Sequence, residues 1–451
     1  MKAVILAAGE SKRMNSKLPK VLHKICGKEI INYVIDACKN AGIREIIIVL
    51  GHEFDLIKKN ICEKNFDLDI KFVLQKERLG TGHAVMMAKD FFGDNENILV
   101  LYGDTPLINY LSIKKLIDMN NDNAVSLISS VVENPKGYGR ILRRENNFLR
   151  IIEDRDCDKN QALIKEINTG IYLFNGNLLK TALQMLSNNN AQGEYYLTDT
   201  IEIIKTLSDK VGIFCADNYK EFLGVNNKIE LERANNLMRE KINKKHMENG
   251  VIMINAREVY IDYDVKIGRD SVVYPNVFLE GKTEIGENCV IRENSRIVDA
   301  KIFDEVEINS SVILNSRIES DVKIGPFAYI RPGSEIGKKV KIGDFVEIKN
   351  SSIDEETKVA HLTYIGDAKV GKNVNFGCGT TIANYDGEKK FRTEIGDNVF
   401  IGCNSNLVAP VKIGDDVYIA AGSTITEDIE AKNFAIARAR QVNKSNWKKK
   451  S

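Results

Sequence analysis

Proline is scarce in this sequence, 7 among 451 residues, and aromatic residues make up only 7%. A chain poor in both has few irregular loops and little bulky core, so something regular and aliphatic must fill much of it. No apolar run approaches the ~18 residues that a membrane-spanning helix needs, so no membrane insertion is expected. The eight cysteines (Cys26, Cys38, Cys62, Cys157, Cys215, Cys289, Cys378 and Cys403) show no C-x-x-C spacing. That excludes a zinc ribbon and a disulfide framework and suits a reducing compartment, so a cytoplasmic protein is expected. Neither charge dominates: 64 Lys and Arg against 63 Asp and Glu leave a net charge of +1. This balance argues against a nucleic-acid coat or an anionic-membrane binder. Small phosphate ligands, which need only a few local cations, remain open. The short apolar stretch from Ala3 ends in Glu10, Lys12 and Arg13 without a cleavage site, so no secretory leader is expected.

The length suits three average domains or two larger ones. The chain is written in two periods. From about residue 261 an aliphatic recurs every six positions: Ile261, Ile267, Val273, Leu279, Ile285, Ile291 and Ile297. The phase slips, resumes at Ile302 and Ile308, runs again from Ile318 to Ile348, and returns from Ile395 to Ile425. A small residue usually follows, as in Ile285-Gly286, Ile342-Gly343 and Ile413-Gly414. Six residues fit neither a 3.6-residue helix nor a hairpin meander. They fit a parallel β-helix with three short strands per coil, about 18 residues per coil and roughly nine coils. Glycine permits the left-handed corners. A β-sandwich is the alternative, and the many in-phase aliphatics count against it. Two stretches break the phase, Lys358 to Asp367 and Asn384 to Phe391. The repeat resembles the left-handed hexapeptide-repeat acyltransferases and their relatives. That resemblance implies a homotrimer formed through the β-helix, with ligands between neighbouring prisms.

The first half reads as α/β. Lys2 to Ala8, Glu45 to Leu50, Ile70 to Leu74 and Asn97 to Leu101 are short apolar runs, hence buried strands, and Ile30 to Asn40 is helix-like. Their alternation predicts a Rossmann-like, mostly parallel, doubly wound sheet. Lys228 to Lys245 has helical spacing and mixed charge, and reads as a linking helix. The expected organisation is a nucleotide-handling domain over 1–227, a linker helix over 228–248, a β-helix domain over 249–435 and a basic tail over 436–451.

The first strand ends in Leu6-Ala7-Ala8-Gly9-Glu10-Ser11-Lys12-Arg13-Met14, followed by Leu18-Pro19-Lys20. Small residues at a strand's carboxyl end let backbone N–H groups approach a phosphate, while Arg13 adds a forked cation and Lys20 a point charge. Alone, these residues could be a tight turn with solvated cations. The whole string resembles the signature of the sugar-nucleotide pyrophosphorylases, a nucleotidyltransferase family. Further motifs of that family follow in order. They are Gln75 to Ala84 with Gly80 and Thr81, Tyr102-Gly103-Asp104, Gly137 to Arg140, Glu153, Glu166 to Gly170, and Gly224 to Asn227. Asp104 closes a strand, where doubly wound sheets place ligands and where a carboxylate can hold Mg²⁺ against a triphosphate. The resemblance implies that Leu6, Ala7, Ala8, Gly9, Arg13, Lys20, Gln75, Gly80, Thr81, Tyr102, Gly103 and Asp104 bind UTP. It implies that Gly139, Glu153 and Asn168 bind the sugar, and that Asp104 and Asn226 are the protein ligands of Mg²⁺.

Among the five histidines (His23, His52, His83, His246 and His361) only His361 lies in the repeat region. A lone histidine is more often structural than catalytic. Together with Asn375, Cys378 and the Asn384 to Phe391 stretch, it resembles the acetyltransferase half of a family of bifunctional bacterial enzymes that make UDP-N-acetylglucosamine. The resemblance covers about residue 2 to about residue 440. It implies acetyl transfer from acetyl-CoA to the amine of glucosamine 1-phosphate. Uridylyl transfer from UTP to N-acetylglucosamine 1-phosphate then gives UDP-N-acetylglucosamine and pyrophosphate. His361 becomes the general base, for which imidazole suits neutral pH. Arg331, Lys349, Tyr364, Asn375 and Lys390 correspond to the sugar-phosphate contacts. Cys378, Asn384, Tyr385, Cys403, Ala421 and Arg438 correspond to the acetyl-CoA contacts.

Two residues depart from the family, which often has Ala at position 378 and Ser at 403. A main-chain contact survives the first change, whereas the second loses a hydroxyl. A covalent acetyl-cysteine is a rival reading, but direct attack by the amine needs no such step. The tail from Arg438, with Trp447 and six cations, could bind RNA. A solvated end with Arg438 reaching the CoA phosphates is expected instead. Two rival functions remain, a pyrophosphorylase with a purely scaffolding repeat and a translation-factor exchange subunit. The His361, Arg331, Lys349 and Tyr364 set counts against the first; Arg13, Lys20 and Asp104 count against the second.

Overall fold

The computed structural model describes every residue except 10, 11, 66, 146, 191 and 446–451. Glu10 and Ser11 of the phosphate-loop string therefore lie outside the described residues, as do Trp447 and Lys448 to Lys450 of the expected tail. The chain forms two units, Met1–Met238 and Arg239–Ser451.

In the first unit the apolar runs become the centre of a nine-stranded sheet, counted among the described residues. Its strands are β1 (Lys2–Ala7), β2 (Glu45–Leu50), β3 (Asp69–Leu74), β4 (Asn97–Tyr102), β5 (Val125–Val131), β6 (Arg140–Arg144), β7 (Asn147–Ile152), β8 (Glu166–Asn175) and β9 (Val211–Ala216). The main order is β9-β5-β8-β4-β1-β2-β3. Alternate residues of β1 point to opposite cores. Ala3 and Ile5 pack with α1 (Ile30–Asn40) on one face. Val4 and Leu6 pack with α2 (Thr81–Ala88) on the other. The sheet is mostly parallel, as expected, with one feature the pattern did not reveal. β8 runs antiparallel to both β4 and β5, and the β6–β7 hairpin attaches to it. The chain enters β8 through short 3-10 turns after that hairpin, without the crossover helix that a parallel return would need. β1 and β4 are parallel neighbours with Leu6 opposite Tyr102, so the glycine loop and Asp104 leave the sheet side by side.

The linker expected over 228–248 is a single helix, Lys228–Glu248, and the division between the units falls inside it. The second unit stacks short strands into three parallel sheets of eleven, ten and nine strands. One apolar column, aliphatic except for Phe376, runs Val273, Ile291, Ile308, Ile324, Ile342, Val359, Phe376, Ile401 and Ile419, each opposite the next. All are buried. This is the β-helix that the six-residue period requires, with its core in internal columns. The corners use left-handed residues, often asparagine or aspartate.

Lys358 to Asp367 does not interrupt the stack. Strand β11 (Lys358–His361) pairs with β10 (Lys341–Asp344) before it and with Asn375–Phe376 after it. The buried aliphatics Ile348 and Ile353 are only five residues apart, so a six-residue pattern loses phase while the coil continues. Asn384 to Phe391 does leave the coil, closed by a bridge between Tyr385 and Lys390. Among the described residues, no helix is long and apolar enough to cross a membrane.

Candidate active sites

A cleft of about 320 Å³ opens at the carboxyl ends of β1 and β4. Leu6, Ala7, Ala8, Gly9, Lys20, Gln75, Gly80, Thr81, Tyr102 and Asp104 line it, so ten of the expected nucleotide residues come together. Each is placed for a physical reason. Gly80 has φ +104°, and a Cβ there would strike the Tyr195 carbonyl, which only glycine avoids. Buried Gln75 donates to the Gly80 carbonyl and lies 3.0 Å from His83 Nδ1, so its amide is oriented before any ligand arrives. Burial, aided by Glu153 and Asp104, pushes the Tyr102 phenol up, so it stays a neutral donor.

Lys20 joins the two expected metal ligands. Its ammonium lies 2.5 Å from Asp104 Oδ2 and 3.1 Å from Asn226 Oδ1. Gly103 donates its N–H to the Leu6 carbonyl, tying the Asp104 turn to the glycine loop. Arg13 stands apart: it is exposed on a 3-10 turn (Lys12–Met14) and lines no part of this cleft.

The expected sugar residues form a second group. Asn168 is buried, its N–H donates to the Gly139 carbonyl, and its side chain donates to the Tyr172 hydroxyl. Glu153 accepts from the Thr198 hydroxyl at 2.9 Å. Burial raises its pKa, with Asp154 and Asp156 adding in the same direction. Asp199 next to it is pushed up to about 6, by burial first and then by Glu153.

In the second unit His361 ends β11 and its Nδ1 lies 2.5 Å from Asp344 Oδ1. Asp367 is the centre of a neighbouring polar group. It receives Lys349 at 3.2 Å, Asn350 at 2.7 Å and Asn384 at 2.5 Å. The Lys349 ammonium beside it lowers the Lys390 pKa, and Arg331 adds to that repulsion. Three cations gathered this closely suit a dianionic phosphate. Arg331 itself is held by Glu347 at 2.8 Å. Cys378, Cys403 and Ala421 follow His361 at one corner of successive coils, and Arg438 donates to the Ala421 carbonyl at 3.0 Å. Both cysteines and Tyr385 are exposed. Tyr364 pairs with Glu347 and Asn375 with Lys358 in the ladders of that region.

The nucleotidyl transferase family matches residues 2–220 of the chain. The bacterial transferase hexapeptide family matches 264–299, 315–350 and 392–427. Three relatives carry the name bifunctional protein GlmU. The protein from Clostridioides difficile (strain 630) is 49% identical, covering 100% of this chain and 97% of its own. That of Thermoanaerobacter pseudethanolicus is 53% identical over 98% and 96%, and that of Clostridium kluyveri 51% over 99% and 97%. The chain belongs to the GlmU family.

It is therefore a bifunctional transferase with two reactions. It acetylates glucosamine 1-phosphate from acetyl-CoA, and it transfers a uridylyl group from UTP to N-acetylglucosamine 1-phosphate, releasing pyrophosphate. Sequence reasoning missed several residues at these GlmU sites. Arg78 and Glu194 line the cleft at the ends of β1 and β4, and Asp199 sits beside Glu153. Asp344 and Asp367 contact named site residues. Arg78 lies inside the quoted Gln75 to Ala84 string, and both aspartates follow an Ile-Gly pair. That pair marks many ordinary corners of the stack, so the signal was present but not distinctive.

Proposed function

We propose that each unit carries one reaction and that the residues named above divide the work as follows. In uridylyl transfer, an oxygen of the sugar phosphate attacks the α-phosphorus of UTP in line and pyrophosphate leaves. The Leu6 to Gly9 loop offers N–H groups to the triphosphate, Lys20 neutralises charge, and Gln75, Gly80 and Thr81 hold the base. Gly139, Glu153 and Asn168 orient the sugar, and Arg13 approaches the triphosphate from its exposed turn. The observation that carries this reading is the convergence of two oxygens, from Asp104 and Asn226, on one cation, the Lys20 ammonium. Hard oxygen donors suit Mg²⁺, which usually takes few protein ligands and completes its shell with phosphate and water. Asp104 and Asn226 would hold that ion, and it would screen the triphosphate's charge.

In acetyl transfer, His361 accepts a proton from the amine of glucosamine 1-phosphate as that amine attacks the thioester carbonyl; the C–S bond then breaks and coenzyme A leaves, its sulfur taking up the proton. Arg331, Lys349 and Lys390 hold the sugar's phosphate, with Tyr364 and Asn375 beside it. Cys378, Asn384, Tyr385, Cys403, Ala421 and Arg438 hold acetyl-CoA. The chain associates as a homotrimer through the β-helix. Supporting this are Phe327, Phe345 and Leu362, about 60% exposed at one corner of three successive coils, too apolar to be left to water. A cytoplasmic location agrees with the scattered free cysteines.

A paired assay tests the division. His361→Ala is expected to lose acetyl transfer and keep UTP-dependent pyrophosphate release, and Asp104→Ala the reverse. Equal loss of both activities in either variant would refute it. Light scattering giving a single-chain mass at micromolar concentration would refute the trimer.

A further inference from the structure

The aspartates at the corners of this β-helix have a common task. Asp262, Asp299, Asp304, Asp397, Asp415 and Asp428 each accept a backbone N–H from another coil, at 2.7–2.8 Å. Asp344 follows an Ile-Gly pair, as Asp397 and Asp415 do, but is used differently. Its carboxylate lies 2.5 Å from His361 Nδ1. The two residues are direct partners in the parallel ladder of β10 and β11. The Leu362 N–H donates to the Asp344 carbonyl, so the backbone on each side of the pair is fixed. The hydrogen bond from His361 is the main reason the Asp344 carboxyl lies below its ordinary range.

We propose that Asp344 is the positioning residue of acetyl transfer. It takes the proton-bearing Nδ1 of His361 and so presents the unprotonated Nε2 to the substrate amine. A neutral imidazole has one donor and one acceptor nitrogen, and an anion on Nδ1 selects the tautomer with the lone pair on Nε2. When Nε2 takes the amine proton, the imidazolium formed faces a carboxylate one coil away. Asp344 touches neither substrate, and it gains and loses no proton.

This inference rests on His361 being the general base, and the experiment separates the two. Acetyl transfer is measured for His361→Ala, Asp344→Asn and Asp344→Ala in the full chain, with Tm as the control of folding and uridylyl transfer as a check on the first unit. Both Asp344 variants are expected to lower kcat about tenfold or more, a part of the ~10²–10⁴ a general base supplies. KM for both substrates should stay within about twofold, and uridylyl transfer should not change. The ¹⁵N signals of the His361 ring, assigned by their loss in His361→Ala, should report hydrogen on Nδ1 in the parent and a redistribution in Asp344→Ala. A fall in kcat accompanied by a parallel rise in KM and a lower Tm would mean that Asp344 only holds the coil, and would overturn the proposal. Full acetyl transfer in His361→Ala would refute the base assignment instead. Loss in His361→Ala with unaltered Asp344 variants would overturn the positioning role alone.

Discussion

Lys20 and Asp104, 84 residues apart in the chain, form an ion pair at 2.5 Å beside the glycine loop. Asn226 shares the same ammonium at 3.1 Å. The lysine therefore stands where a metal held by these two oxygens would stand, and the two cations compete. Lys20→Met is expected to tighten Mg²⁺ binding to the ligand-free protein, read by titration calorimetry. The same change should raise KM for UTP about tenfold, the scale of one lost charge-assisted contact. Unchanged Mg²⁺ affinity would remove the competition from the picture.

Asp199 gives the first unit a pH-dependent weakness. Its carboxyl is raised from 3.8 to about 6, mainly by burial. Below its ordinary value both folded and unfolded states hold the proton. Between about 4 and 6 the folded state holds more, so stability falls as pH rises, and above 6 the cost is fully present. Asp199→Asn should therefore raise Tm at pH 8 and leave it unaltered near pH 3.5. The group is only half-buried, so solvent screening holds the gain to about 1 kcal/mol, less than the ~1.4 kcal/mol that a tenfold change in proton affinity carries. Equal gains at both pH values would show that the amide helps for some other reason.

Gly343 lets β10 and β11 come together. A Cβ at this position would lie on the Ala360 carbonyl, directly before His361. Gly343→Ala is expected to cost about 1–3 kcal/mol as overpacking and to reduce acetyl transfer while sparing uridylyl transfer. Denaturant unfolding and the two assays read this. A variant that matches the parent in both acetyl transfer and stability would contradict the close approach.

The sequence revealed those parts of the molecule whose pattern is local. EIIIVL becomes Glu45–Leu50 and the linker helix ends at Glu248, because burial and helical spacing act within a few residues. Strand direction is not local. β8 reads as apolar whichever way it runs, and only its neighbours make it antiparallel. The loop Leu6 to Gly9, which lines the cleft, stood out through its run of small residues, but the exposure of Arg13 did not. His361 could be singled out because the solenoid holds no other histidine. Asp344 could not, because an acidic residue follows several Ile-Gly pairs of the stack, and its partner belongs to another coil.

Coil stacking also makes distance countable. His361, Cys378, Cys403 and Ala421 occupy one corner of four consecutive coils, and each coil advances by the ~4.8 Å spacing of hydrogen-bonded strands. The span from His361 to Ala421 is then three steps, ~14 Å, fixed by backbone hydrogen bonds rather than by side-chain packing. An extended ligand lying along that corner is measured against a ruler graduated in whole coils. The Asn384 to Phe391 excursion leaves the ruler without stretching it, since Phe376 and Ile401 remain adjacent rungs although 25 positions separate them in the chain. A longer excursion would leave the rungs where they are, whereas an added rung would carry Arg438 a full graduation away from His361.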